Sequence, residues 1–206
     1  MADIYFISDT HFGHENIIKF CERPFKDVKQ MDDYMMEQWC RVVRPQDHVY
    51  HLGDVTMDRK GRDEEQFVRM MRKLPGHLRL VMGNHDHFPT EVYLEAGFEK
   101  IYGTWRGIAN ILLSHIPIHP SGLGGCVANV HGHIHQHDSP APQIIGLDAK
   151  RQEKGIRIVP YVNICVERTE YKPIHLDELL ALIRVKIERE HERIEREAAP
   201  VQATRD

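Results

Sequence analysis

Five short apolar runs, each broken off by residues that bind protons or metals, constrain this chain more than any other feature. IYFIS stops at Asp9, HVYHL at Gly53 and Asp54, LRLVM at Gly83 and Asn84, ANILL at Ser114 and His115, and VANV at His131. Short runs of this kind, rich in branched and aromatic residues and closed by polar residues or glycine, are the pattern of buried strands. Their carboxyl ends deliver polar side chains into a shared loop layer, where a rigid scaffold carries its function. Between them the periodicity turns helical, over Asn16 to Cys21, Met31 to Val43, Asp63 to Lys73 and Thr90 to Ala96. In EEQFVRMMRKL, Phe67, Met70, Met71 and Leu74 share one helical face, a core stripe that Pro75 and Gly76 terminate. Strands alternating with helices make this an α/β chain.

Further on, RIVPYVNICVE reads as another strand, and LDELLALIRVKIEREHERIERE as a helix from near Asp177, laced with opposite charges four residues apart. The expected organisation is a main domain over residues 1–176, a charged helix over 177–198 packed on it or on a partner, and a frayed tail over 199–206. Residues 138–155 lack periodicity and are expected to form an exposed loop or a hairpin. Trp39 and Trp105 are expected in the core. The start, MADIYFISD, has no basic segment followed by an apolar one, and no run approaches the roughly 18 apolar residues of a membrane span. A cytoplasmic protein without membrane contact is the expectation. Cys21, Cys40, Cys126 and Cys165 are scattered and read as reduced thiols. The net charge of −4 offers a polyanion no general attraction, so a long nucleic acid is not the expected partner.

The chemistry gathers at the run ends. Asp9 and His11 stand in SDTHFGH, Asp54 in LGDV, Asn84, His85 and Asp86 in GNHD, His115 in LSH, and His133 and His135 in HGHIH. One Asp or Asn after a strand is usually a turn former or helix cap. Five successive runs all ending in carboxylate, amide or imidazole groups are a different matter. Such donors suit manganese, iron, cobalt, nickel or zinc, and the lack of cysteine among them argues against a structural zinc. They are too many for one ion. Two ions sharing a carboxylate fit better, an arrangement that clamps the attacking and leaving oxygens during displacement at phosphorus.

Taken in order, the motifs DxH, GD, GNHD, H and GHxH resemble those of the calcineurin-like metallophosphoesterase superfamily, and ISDTHFGHENIIKFCERPF is similar to a compact bacterial and phage branch of it. The resemblance implies two packed mixed β-sheets flanked by helices, a four-layer sandwich with a dimetal site at one edge. It implies two divalent ions, manganese first among the choices. One would be held by Asp9, His11, Asp54 and His135, and the other by Asp54, Asn84, His115 and His133, with Asp54 bridging. It further implies attack on phosphorus by a hydroxide shared between the ions, with His85 protonating the leaving group and Asp86 steering the His85 ring. In an extended backbone His133 and His135 would project to one side. His131 and His137 are expected to support the site or face solvent, and His87 and His119 to line a pocket or the surface. His14 and Arg23 are possible substrate contacts.

The activity expected is hydrolysis of a small or nucleotide-like phosphate ester, diesters before monoesters. A nuclease would share the chemistry but need a basic track, for which Arg69, Arg72, Lys73 and Arg79 are the candidates. A catalytically silent protein-binding scaffold is the reading from another class.

Overall fold

The computed structural model describes residues 1–57, 64–146 and 156–198. The expected tail, residues 147–155 of the 138–155 segment and the Asp63 start of the third helix lie outside them.

Each apolar run becomes a strand. β1 (Ile4–Ile7), β2 (His48–His51), β3 (His77–Val81) and β4 (Phe98–Tyr102) lie side by side and parallel. A second sheet holds β5 (Thr104–Arg106), β6 (Leu112–Ser114) and β7 (Asn129–His131). β8 (Gln143–Gly146), inside the segment expected to be a loop or hairpin, and β9 (Ile156–Val159), just past it, form a separate antiparallel pair. β10 (Tyr161–Asn163) joins β7 in parallel, and β11 (Ile174–His175) adds antiparallel to β1. The sheet orders are β11-β1-β2-β3-β4 and β10-β7-β6-β5. The runs read as continuously apolar because both faces of the first sheet are covered. Ile7, Val49, Leu78 and Leu80 pack with Met31, Met35 and Trp39 of helix α2 (Val28–Val42) and with Phe67, Val68 and Met71 of α3 (Glu64–Met71). On the other face Phe6, Tyr50, Leu52 and Val81 meet Leu113, Val130 and Val162 of the second sheet. Each such side chain, fully buried, contributes about 1.5–3 kcal/mol.

The remaining helices are α1 (Glu15–Phe20), α4 (Thr90–Glu95) and α5 (Leu176–Ala198). α5 lays Leu179 and Ile183 into the core between the sheets, so its apolar stripe is used within this chain. α2 begins where the Asp27 side chain accepts the Gln30 amide at 2.8 Å while Gln30 Oε1 accepts the Lys26 amide at 2.8 Å, a reciprocal cap that satisfies donors the helix leaves open. Trp39 is wholly buried, its indole N–H donating to Pro75 O at 3.0 Å, and Trp105 is half-buried against Tyr50.

β1 and β2 are in parallel register, so the loops leaving them also run side by side. The amides of Asp9, His11 and Phe12 donate in turn to the carbonyls of Gly53, Asp54 and Val55 at 2.9–3.0 Å. A bridge between Ser8 and Cys165 brings in the segment after β10, and the Gly132 amide donates to His115 O at 2.9 Å. Loops from both sheets therefore meet at one edge.

Candidate metal centre

At that edge lie two groups of donor side chains. Asp9, His11 and His135 offer one ligand atom each, all within 4.8 Å of one another, and Asp54, His115 and His133 do the same beside them. Asp54 stands between the groups, its Oδ2 lying 3.5 Å from His11 Nε2 and 3.4 Å from His115 Nε2. The Asn84 side-chain oxygen approaches His115 Nε2 at 2.9 Å and so belongs with the second group.

The backbone reaches this arrangement at a conformational cost. Asp9, His11, Asp54, His133 and His135 all have φ between 49° and 71°, the left-handed region that non-glycine residues rarely enter. Strain of this kind persists only where the surroundings over-determine it, as they do at functional sites. It corrects one sequence expectation. The backbone carrying His133 and His135 is not extended; β7 ends at His131, and both residues take left-handed φ, with His133 in one group and His135 in the neighbouring one. Gly132 is needed at the bend because a Cβ there would overlap the Asp9 carboxylate and the Ser8 hydroxyl, and Gly83 because a Cβ would overlap Asp54.

The Asp9 carboxylate is braced on its far side. Oδ2 accepts from the Ser8 hydroxyl and the Cys165 thiol and shares the His133 amide with Oδ1, which lies toward His11 and His135. Burial opposes charge on Asp54, yet the His115 hydrogen bond and charge, His11 and the His85 amide hold its carboxyl well below the usual range. Burial likewise opposes charge on His115 and His135. Asp54 and Asp9 push His115 up to about 9, and Cys21, Glu167 and Asp9 push His135 up to about 10. A field that favours imidazolium favours a bound cation by the same physics. His11 is 1% exposed, and neither ring nitrogen has a hydrogen-bond partner among the described residues. Burial drives that ring toward its neutral form, the form that ligates. An orphaned imidazole beside two carboxylates fits a divalent metal ion.

The other expected residues fall into place unevenly. His85 is half-buried, its ring centroid 5.6 Å from that of His11. Asp86 does not steer it. Its carboxylate is filled by the amides of Gly83, Asp54 and Val55 at 2.8–2.9 Å, and burial pushes its pKa up to about 6. Asp86 thus fastens the β3 loop to the loop that carries Asp54. Arg23, expected at the substrate, is enclosed behind the Asp9 loop, where its guanidinium donates to the carbonyls of Asp9 and Thr10 at 2.8 and 2.9 Å. His14 is buried, its ring 5.6 Å from that of His11. His131 is buried too, its ring held neutral by desolvation at about 4, which excludes a solvent-facing role; His137 is exposed. His87 is exposed, 6.3 Å from the His85 ring, and His119 is exposed and caps a short turn through Ser121. Three of the four nuclease candidates have partners of their own: Arg69 with Glu65, Arg72 with Glu95, and Arg79 over the Tyr50 ring.

Sequence reasoning missed His51, Cys165 and Glu167. Burial holds His51 near pKa 3; neutral, its Nδ1 accepts the Gly53 amide while Nε2–H donates to the Thr10 hydroxyl at 3.0 Å. Its place inside an apolar run, at the position nearest the ligand loop, was the available signal.

The chain matches the calcineurin-like phosphoesterase family over residues 2–162 and belongs to it. It is therefore a phosphoesterase of a metal-dependent class. It is 34% identical over 185 residues to an uncharacterized protein of Methanocaldococcus jannaschii, covering 89% of this chain and 92% of that one. The crystal structure of a protein of unknown function from Aquifex aeolicus superposes with a TM-score of 0.63 at 32% identity, covering 88% of this chain and all of the other. The gene 66 protein of mycobacterium phage L5 is 26% identical over 138 residues, 57% of this chain and 64% of the phage protein. No helix among the described residues is long and apolar enough to cross a membrane.

Proposed function

We propose that this phosphoesterase is dinuclear and hydrolyses small or nucleotide-like phosphate esters, diesters in preference to monoesters. The observation that carries the reading is Asp54, a buried carboxylate with an imidazole from each donor group within 3.5 Å of one oxygen. Asp9, His11, His135 and Asp54 would hold one ion, and Asp54, Asn84, His115 and His133 the other. Manganese suits this set of oxygen and imidazole donors, which has no thiolate. When bound, such a pair of ions supplies a nucleophile from water near neutral pH and neutralises charge on the phosphoryl oxygens.

The chain's own groups do the rest. His85 Nε2 or Nδ1, at the rim of the cleft, gives a proton to the departing ester oxygen, which an alkoxide needs and a nitrophenolate does not. Its amide donates to Asp54 Oδ1 at 2.9 Å, so the backbone of the acid is tied to the carboxylate the two ions would share. Beside them opens a cleft of about 390 Å³ walled by Ile17, Phe20 and Met57 and bordered by His14, Gln136 and His137. A volume in this range suits a small molecule, and Phe20, 68% exposed, offers a ring face to a base or other apolar ester group. Four free cysteines fit a reducing, cytoplasmic setting.

The test is hydrolysis of bis-p-nitrophenyl phosphate and p-nitrophenyl phosphate by metal-stripped protein, with manganese, nickel, zinc or nothing restored. The expected result is metal-dependent turnover, faster on the diester. Turnover that survives stripping and chelation would sink the dinuclear reading, and a monoester preference would sink the diester assignment.

A further inference from the structure

His135 carries one ring nitrogen toward Asp9 and the other away from the donor group. Its Nε2 lies 3.9 Å from Asp9 Oδ1, while Nδ1 lies 3.0 Å from Glu167 Oε1. Glu167 sits in the short turn Val166–Arg168, directly after the Ser8–Cys165 bridge, with its side chain 5% exposed. The same oxygen accepts from Arg23 Nε at 2.9 Å and lies 2.7 Å from Arg23 Nη2. Arg23 in turn uses Nη1 and Nη2 on the carbonyls of Thr10 and Asp9, and its guanidinium lies 6.0 Å from the centre of the Tyr171 ring. One buried cation thus grips the backbone of the Asp9 loop and the carboxylate that holds the His135 ring.

We infer that Glu167 is the positioning residue for His135, and that Arg23 is the strut locking the Asp9 and His135 loops into one rigid group of donors. The inference rests on the dinuclear reading above. A carboxylate accepting from Nδ1–H fixes the tautomer, leaves the Nε2 lone pair for the ion and raises the ring's basicity. His135 needs such a hold because its own backbone, at φ 49°, is in a strained turn. Arg23 meets Glu167 Oε1 with both Nε and Nη2, which keeps that carboxylate paired and aimed in a site where an unpaired buried one would be costly. Cys21, His135 and Glu167 also offer ligand atoms within 4.8 Å of one another. The guanidinium against Glu167 opposes a cation there, and Nδ1 cannot both donate to Glu167 and ligate.

The experiment is calorimetric titration of Mn²⁺ into metal-stripped wild type, Glu167→Gln, Arg23→Lys and His133→Ala, with Tm recorded for each, together with ¹⁵N imidazole spectra of the metal-free proteins. Glu167→Gln is expected to weaken one of the two ions by about 10–100-fold and leave the other at wild-type affinity. His133→Ala should weaken the opposite one, and the slowly exchanging Nδ1 proton of His135 should be lost or shifted in Glu167→Gln alone of these two. Two ions bound at wild-type affinity by Glu167→Gln, or both weakened alike in step with Tm, would overturn the assignment. So would a third ion in wild type that disappears in Cys21→Ala. A wild type that binds no pair of ions would instead remove the dinuclear reading, and this inference with it.

Discussion

Gly132→Ala isolates the packing that sets the Asp9 carboxylate. A Cβ built at residue 132 overlaps both Asp9 Oδ2 and Ser8 Oγ, two groups that hydrogen-bond to each other. The backbone has little room to retreat, since the Gly132 amide is bonded to His115 O and the next amide, from His133, to both Asp9 oxygens. Overpacking a site of this kind costs about 1–3 kcal/mol. Losing one hydrogen bond to a buried ionised carboxylate adds about 1.5–3 kcal/mol. Taking about 3 kcal/mol in all, a domain of this size should lose about 6–12 °C in Tm. Asp9 then presents Oδ1 out of place, and one ion should bind about 10–100-fold more weakly. Gly124→Ala is the control, because a Cβ there meets nothing within 4 Å. Differential scanning calorimetry and Mn²⁺ titration of the two variants make the comparison. A Gly132→Ala protein with the Tm and both affinities of Gly124→Ala would refute the claim that the Asp9 carboxylate is positioned by close packing against residue 132.

His85→Ala should keep both ions but lose about 100-fold or more in rate on alkyl esters and much less on nitrophenyl esters; equal losses on both would remove His85 as the acid. Asp86→Asn replaces one of two acceptor oxygens by a donor facing the amides of Gly83, Asp54 and Val55, and should cost about 2–3 kcal/mol in urea unfolding with reduced turnover; an unchanged midpoint would contradict the fastening role. At the turn entering β2, burial opposes charge on Asp47, but the Arg44 side chain and the amides of Asp3 and Arg44 hold its pKa at about 2. A depressed carboxyl stabilises fully above about pH 4, and the benefit fades as pH falls toward 2. The stability gap between wild type and Asp47→Asn should therefore be open at pH 7 and close on acidification; a gap constant from pH 7 to 2 would contradict this.

Much of the fold was legible because its signals are local. A strand covered on both faces writes itself as an unbroken apolar run, and α3 shows its stripe in Phe67 and Met71, continued by Leu74 just past its end. The donor residues stood out because parallel strands place their carboxyl ends at one edge. What failed to read out was orientation. Left-handed φ at His133 and His135 carries no mark in residue type, since histidine is not a residue that requires it. Asp86 looked like a partner for its sequence neighbour, yet its acceptors face amides 31 and 32 residues away as well as Gly83. Arg23 and Glu167 are 144 positions apart and meet only through tertiary packing. The strands β4 and β5 were missed because FEKIY carries two adjacent charges, TWR is only three residues long, and neither has the apolar run of a covered strand.

The most direct test of the account is the role of Asp54. Metal-stripped wild type and Asp54→Asn should be titrated with Mn²⁺ and assayed on bis-p-nitrophenyl phosphate in the same preparation. Two ions per wild-type chain, with turnover that appears as they bind and is abolished with at least one ion lost in Asp54→Asn, is the predicted result. An Asp54→Asn protein that binds two ions with wild-type affinity and turns over at the wild-type rate would contradict it.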